Sequence, residues 1–208
     1  MSGPTICLQI DSSSPAGDRT AAFSTGWLRR PLRWIAVGLL CFVYWQSSSF
    51  ALDRVFLEAG AGHEGDIIRL GAQWGLGDRS FADDKWNLSM VLEVDLGSWN
   101  PDLGDEYLFE IGVTPVFRLL PNRFGSSRLA PFLEAGLGAH LLSNVRFGGL
   151  NLSTGLQFGS HIGAGVFIGK NRRISLVYRF QHLSNASIKQ PNPGIEFHLL
   201  QLGYRFTP

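Results

Sequence analysis

The feature that most constrains this chain is a period of two. Over residues 88–96, Leu88, Met90, Leu92, Val94 and Leu96 are apolar, while Asn87, Ser89, Glu93 and Asp95 between them are polar. Successive side chains of a strand point to opposite faces, so this segment has one wholly apolar face. The arrangement recurs with Tyr107, Phe109, Ile111, Val113, Phe117 and Leu119 set against Glu110, Thr114 and Arg118. Pro115 interrupts that strand and predicts a bulge. Pro131, Leu133, Ala135, Leu137, Ala139 and Leu141 then oppose Phe132, Glu134, Gly136, Gly138 and His140. Ile162, Ala164, Val166 and Ile168 oppose His161, Gly163, Gly165 and Phe167. Ile174, Leu176, Tyr178 and Phe180 form another apolar face, as do Leu200, Leu202, Tyr204 and Phe206. Two weaker strands, near residues 53–62 and 66–76, bring the expected number to eight.

A soluble sandwich also alternates, with its apolar face buried and the other face in water. Here the second face carries Glu93, Asp95, Glu110, Arg118, Glu134 and Arg179 among small glycines. Charges that can pair in a crowded interior suit the lumen of a small membrane barrel. Eight strands is also the smallest number whose interior side chains can fill. The fold class expected is all-β, an eight-stranded antiparallel transmembrane β-barrel. The 25 glycines and 12% aromatic residues fit closely curved sheets and membrane interfaces.

The apolar run over residues 34–45 follows Arg29, Arg30 and Arg33 and precedes Ser49-Phe50-Ala51. This is the pattern of a signal peptide, expected over residues 27–51 with cleavage after Ala51. A transmembrane anchor needs about 20 apolar residues, which this run does not reach. Residues 1–26 show no periodicity and are left as an unassigned extension, as a start codon placed too early would produce. The barrel domain is expected over residues 52–208. After Ala51 no second run of 18 apolar residues occurs, so any spanning must be done by strands. Cys7 and Cys41 both precede the expected cleavage, leaving neither a disulfide nor a thiolate site in the mature chain. A net charge of +1 gives no reason to expect nucleic acid as a partner. With both termini periplasmic, residues 169–173 form a short periplasmic turn and the segment between Leu183 and Ile195 is extracellular.

That last segment is where nucleophile, base and carboxylate types cluster. If the seventh strand continues to Ser184, His182 and Ser184 project from one face about 6.6–6.8 Å apart along the chain. A loop carrying Pro191, Pro193 and Gly194 reverses the chain, so the eighth strand can bring Glu196 beside His182. This is the logic of a Ser-His-acid triad, in which the base takes the hydroxyl proton and the acid holds the imidazole. His182 and Ser184 share the even-numbered face of Ile174, Leu176, Tyr178 and Phe180, and Glu196 shares that of Leu200, Leu202, Tyr204 and Phe206. All three are therefore expected to point towards lipid, where polar side chains are costly and mark function. Their level is the outer-leaflet interface, where a substrate embedded in that leaflet could be cleaved in place.

The residues His182-Leu183-Ser184-Asn185-Ala186, followed by Lys189-Gln190-Pro191-Asn192-Pro193-Gly194-Ile195-Glu196, resemble the signature of the lipid A 3-O-deacylases of Gram-negative outer membranes. Residues 131–138 and 162–165 also look like segments of that family, whereas the early strands match in pattern alone. The resemblance implies Ser184 as nucleophile, His182 as general base and Glu196 as orienting acid. It implies Asn192, or the backbone N–H groups near Asn185 and Ala186, as oxyanion donors. Ser187 stands where the family pattern has glycine. The activity implied is hydrolysis of the ester-linked 3-hydroxyacyl chain at position 3 of lipid A, with no metal and no cofactor. Lipid A or lipopolysaccharide as substrate, outer-membrane lipid and a homodimeric partner are the expected associations.

Competing readings attach to single residues. His182 alone would read as an interfacial histidine; the matching parity of Ser184 and Glu196 reverses that preference. Asn192 is either an oxyanion donor or a turn residue, and Lys189 either a lipid-phosphate contact or a solvated loop charge. His198 shares the face of Glu196 and is a rival base further into the strand. His140 and His161 fall on the lumen side, His63 in a short loop, and Trp74, Trp86 and Trp99 near strand ends suit an interfacial belt or packing. The competing functions are an outer-membrane phospholipase and a non-enzymatic structural or adhesion barrel.

Overall fold

The computed structural model describes residues 51–102, 107–125 and 127–206. Apart from Ala51, the expected extension and signal peptide lie outside the described residues. The strands in chain order are β1 (Arg54–Gly62), β2 (Gly65–Phe81), β3 (Trp86–Pro101), β4 (Leu108–Pro121), β5 (Leu129–Leu142), β6 (Arg146–Phe147), β7 (Leu150–Asn151), β8 (Leu156–Ile168), β9 (Ile174–Ser184) and β10 (Ile195–Arg205). Eight of them close into a barrel in the order β1-β10-β9-β8-β5-β4-β3-β2, every neighbouring pair antiparallel. The short β6 and β7 form a ribbon within the loop between β5 and β8. Closure pairs Arg54 with Arg205 and Gly62 with Phe197, so the sheet keeps no free edge. The shortest barrel strand has 9 residues, which meets the about 9–11 needed to cross a bilayer when tilted.

The barrel is inside-out relative to a soluble protein. Leu70, Leu96, Phe109, Leu133, Leu137 and Ile162 are all more than half exposed on its outer face, whereas Glu58, Arg69, Glu93, Glu110, Arg118, Glu134 and Arg179 are buried within. Three guanidinium groups tie the interior together. Arg69 reaches Glu58 at 2.9 Å and Glu110 at 3.0 Å, Arg118 reaches Glu134 at 2.9 Å and Glu93 at 3.3 Å, and Arg179 reaches Glu58 at 3.0 Å, Glu93 at 2.7 Å and Glu134 at 2.5 Å. Removing one partner from such a buried pair leaves an uncompensated charge and costs about 3–5 kcal/mol, so the belt fixes strand register strongly. Glycine makes room in this crowd: a Cβ on Gly136 would stand 2.3 Å from the His161 ring, and one on Gly159 2.4 Å from that of His140.

Apolar clusters close the belt at both ends. Near the termini, Phe132 stacks on Phe167 at 4.4 Å between ring centroids, with Leu120, Ala130 and Val177 around them. At the far end, Trp99 meets Phe147 at 5.3 Å and Phe197 at 4.9 Å, within a cluster that includes Leu152, Leu183 and Ile195. Phe147 and Leu152 come from the β5–β8 loop, which therefore folds inward as a plug.

One expectation is corrected, and one pair of alternatives is decided. Pro115 causes no bulge: Val113 pairs with Ala139 and Val116 with Gly136 in one unbroken register. Proline removes a ladder N–H but inserts no residue, so alternation continues from Glu110 through Thr114 to Arg118. The bulge lies instead in β2, between Gly75 and Gly77. Trp99 belongs to no interfacial belt, since its side chain is fully buried in the lumen and its indole N–H donates to Glu110. It shares the inward parity of Glu93 and Asp95.

Candidate active site

The last residues of β9 and the first of β10 run side by side at the far end of the barrel. Their ladder sets Glu196 directly opposite His182, and Leu183 opposite Ile195. Leu183 and Ile195 point inward into the plug, which forces His182 and Glu196 outward. The two are 43% and 61% exposed in their side chains, and His182 Nδ1 lies 3.5 Å from Glu196 Oε1. A carboxylate at Nδ1 leaves Nε2 as the nitrogen able to receive a proton from a nucleophile.

Ser184 ends β9 with the same outward parity and pairs with Phe158 of β8. Among the described residues its hydroxyl makes no hydrogen bond with His182. The chain therefore joins an imidazole to a carboxylate and sets a serine hydroxyl two residues along the same face. Uncomplexed enzymes commonly hold such groups loosely until substrate is bound.

The β9–β10 loop is shaped by Gly194, whose φ is +69°. A Cβ there would stand 2.7 Å from His182 Cε1 and 3.2 Å from Nε2. The Cε1–Nε2 edge of the imidazole thus lies against a bare backbone, and only glycine suits both the torsion and the approach. At the other end of the loop Ala186 and Ser187 hold φ of 52° and 62°. These left-handed torsions explain why the family pattern has glycine where this chain has Ser187.

Asn185 and Asn192 brace the loop. The backbone N–H of Asn185 donates to Asn192 Oδ1 at 3.0 Å, and its fully buried side chain donates to Lys189 O at 2.8 Å and Leu152 O at 3.1 Å. The Asn185 N–H is thereby committed within the loop, while among the described residues Asn192 Nδ2 has only a long bond, 3.5 Å, to Ser187 Oγ. The β5–β8 loop supports this arrangement from the side, since Ser153 Oγ donates to Pro191 O at 2.7 Å. Lys189 is exposed.

Sequence periodicity overlooked Ser160. It faces outward from β8 and pairs directly with His182, so one transverse row reads Ser160, His182, Glu196 across three strands. Parity carried back from Ile162 would have found its face, but only the register shows its neighbour. The loop support from Leu152 and Ser153 left no periodic signal at all. His198 is exposed on the outer face of β10, with Nδ1 2.7 Å from the Tyr178 hydroxyl. His140 and His161 are buried in the lumen, as their parity required. His140 bonds Glu110, and a ligand atom from each of Asp95, Glu110 and His140 falls within a 4.8 Å span. Arg69 already supplies the cation there, at 3.0 Å from Glu110 and 3.5 Å from Asp95.

Known proteins share this architecture. Residues 66–205 match the model of the family described as lipid A 3-O-deacylase (PagL). The lipid A deacylase PagL of Pseudomonas aeruginosa is 31% identical over 156 residues, 74% of this chain and 86% of that protein. The lipid A deacylase PagL of Bordetella bronchiseptica is 33% identical over 127 residues, covering 53% of this chain and 66% of that protein. Among solved structures, the outer membrane enzyme PagL superposes with a TM-score of 0.65 at 28% identity, covering 74% of this chain and 99% of its own. The closed eight-stranded barrel and a family match spanning β2 to β10 lead to one conclusion: the chain belongs to the lipid A 3-O-deacylase family.

Proposed function

We propose that this outer-membrane barrel hydrolyses the ester-linked 3-hydroxyacyl chain at position 3 of lipid A through Ser184, His182 and Glu196. The observation that carries the residue assignment is the pairing of His182 with Glu196 on the lipid-facing side, with Ser184 two residues along the same face. Exposed polar groups bordering hydrocarbon are expensive unless they serve a function.

The chemistry follows from the positions. Ser184 Oγ attacks the ester carbonyl carbon while His182 Nε2 takes its proton, and Glu196 stabilises the imidazolium through Nδ1. The carbonyl oxygen becomes an oxyanion, for which Asn192 Nδ2 and the Ala186 N–H are the donors left by the loop's own hydrogen bonds. Collapse breaks the bond between the carbonyl carbon and the sugar oxygen, which takes the proton back from His182. Water, deprotonated by His182, then attacks the acyl-serine and releases the 3-hydroxy fatty acid with Ser184 restored. The site lies at the outer-leaflet interface, so the lipid need not leave the membrane.

The test is mass spectrometry of lipid A incubated with the detergent-folded barrel. The wild type removes one hydroxyacyl mass, and Ser184→Ala removes none while remaining folded. Ser160→Ala serves as the rival nucleophile: loss of turnover there with retention in Ser184→Ala would reassign the reaction. Glycerophospholipid in the same incubation separates a phospholipase from a lipid A deacylase by which lipid loses a chain.

A further inference from the structure

The outer wall just inward of the site carries a second polar feature. Around it, Ile162, Leu176, Leu200 and Leu202 present apolar side chains to the bilayer. Against this background Tyr178 and His198 face outward together, joined by the 2.7 Å bond between the phenol oxygen and Nδ1. The His198 ring also packs on Phe180, 5.3 Å between centroids. On its other side β1 places small side chains beside it, Ala61 opposite His198 and Ala59 opposite Leu200, so the histidine borders a shallow trough that ends at Leu57.

One ring nitrogen is used and one is not. Among the described residues His198 Nε2 has no hydrogen-bond partner. Whichever tautomer the Tyr178 bond selects, Nε2 presents either a donor or an acceptor to hydrocarbon, where an unmatched polar group is costly. An alcohol oxygen can answer both cases, since a hydroxyl donates and accepts. Position identifies which oxygen. Continuing the β9–β10 register sets Gly194 opposite Ser184, and His198 is four residues further, about 13 Å at the usual strand rise of about 3.3 Å. That is too far for any atom of the ester being cut, whose oxygens lie within a few bonds of the reacting carbon.

We propose that His198, held by Tyr178, is a substrate-positioning residue that binds an oxygen, preferentially a hydroxyl, on a neighbouring acyl chain of the same lipid, alongside the chain being cleaved. The trough floored by Ala59 and Ala61 gives that second chain room. This rests on the triad reading above, and it makes the enzyme a reader of multi-chain lipids.

The experiment uses the whole detergent-folded barrel with two substrates: lipid A, and a single-chain 3-hydroxyacyl ester that has no neighbouring chain. His198→Phe keeps a ring and removes both nitrogens; Tyr178→Phe removes the bond that orients it. The expected result is a rise of about tenfold in KM for lipid A in His198→Phe, with kcat within about twofold, the size of one hydrogen bond lost from uniform binding. Tyr178→Phe shows a smaller shift in the same direction. In His198→Phe the preference for lipid A over the single-chain ester, as a ratio of kcat/KM, falls about tenfold. An unchanged ratio in a folded variant would overturn the proposal, and so would a fall in kcat on both substrates, which would make His198 a base. Failure of the triad reading is separate: it shows as wild-type protein inactive on both substrates, or as Ser184→Ala retaining activity.

Discussion

Histidine–glutamate pairs stand on both sides of the barrel wall, and two of them, one inside and one outside, make the sharpest contrast. His140 and Glu110 meet in the lumen, where the carboxylate also accepts from Arg69 and from the Trp99 indole, and a Cβ on Gly112 would collide with Asp95 and His140. His182 and Glu196 meet on the outer wall, half exposed, with hydroxyls at Ser184 and Ser160 on the same face. The residue types are the same. Inside, the neighbours are buried charges, a packed indole, an amide and close-set glycines, and nothing can approach, so the pair holds strands together. Outside, the neighbours are serine hydroxyls, glycine and lipid, so the pair is open to proton transfer. Strand parity and cross-strand neighbours, rather than residue identity, divide structure from chemistry here.

The largest effect should separate the two pairs. His182→Gln removes the proposed general base, and turnover of lipid A should fall by about 10²–10⁴-fold with thermal unfolding of the barrel unchanged. His140→Gln should do the reverse: Glu110 keeps Arg69 and Trp99 but loses one buried partner, costing about 1–3 kcal/mol of stability, with kcat retained in the folded fraction. Denaturant melts and lipid A mass spectrometry on both variants check this. A loss of turnover without loss of stability in His140→Gln would give the lumen pair a part in the chemistry.

A smaller effect tests the outer site's dependence on its backbone. Gly194→Ala would place a methyl group 2.7 Å from His182 Cε1 at a φ of +69°, so either ring or loop must move. Misplacing a catalytic group by about 1 Å can cost around 10²-fold, so kcat should fall by about 10–10²-fold while the barrel melts normally. Full activity in this variant would mean that the loop yields without moving the imidazole.

Much of this was legible in the residue order, for a physical reason. Alternation depends only on the strand's period, so it sorted Glu110, Thr114 and Arg118 inward and Phe109, Ile111 and Val113 outward even across Pro115. It also placed His182, Ser184 and Glu196 on one exterior face. What it missed depends on register between strands distant in sequence. Ser160 is 22 positions before His182, yet the β8–β9 ladder makes them neighbours. Trp99 carried the right parity, but its burial required knowing that Phe147 and Phe197 converge on it. The bulge between Gly75 and Gly77 is a two-against-one mismatch, which no single strand's pattern can reveal. The loop brace from Leu152 and Ser153 joins two irregular segments and has no period to find.

The smallest predicted effect concerns Ser187, the residue of the β9–β10 loop that stands where the family pattern has glycine. Its φ of 62° follows another left-handed residue, Ala186 at 52°. A non-glycine residue in this region costs about 1–2 kcal/mol, so Ser187→Gly should remove most of that penalty. Against it stand the greater entropy of glycine in the unfolded chain, about 0.5–1 kcal/mol, and loss of the long contact from Asn192 Nδ2 to Ser187 Oγ. The net change in global stability is expected to be within about 1 kcal/mol, favouring glycine. Activity is the more telling readout. Freed from Ser187 Oγ, Asn192 Nδ2 has no competing acceptor from that side chain, whereas its Oδ1 stays on the Asn185 N–H. If Asn192 donates to the oxyanion, Ser187→Gly should raise kcat by up to about twofold, and Asn192→Ala should lower it by about 10²-fold or more. Equal kcat in wild type and Asn192→Ala would remove that side chain from the oxyanion site and leave the Ala186 N–H as its donor.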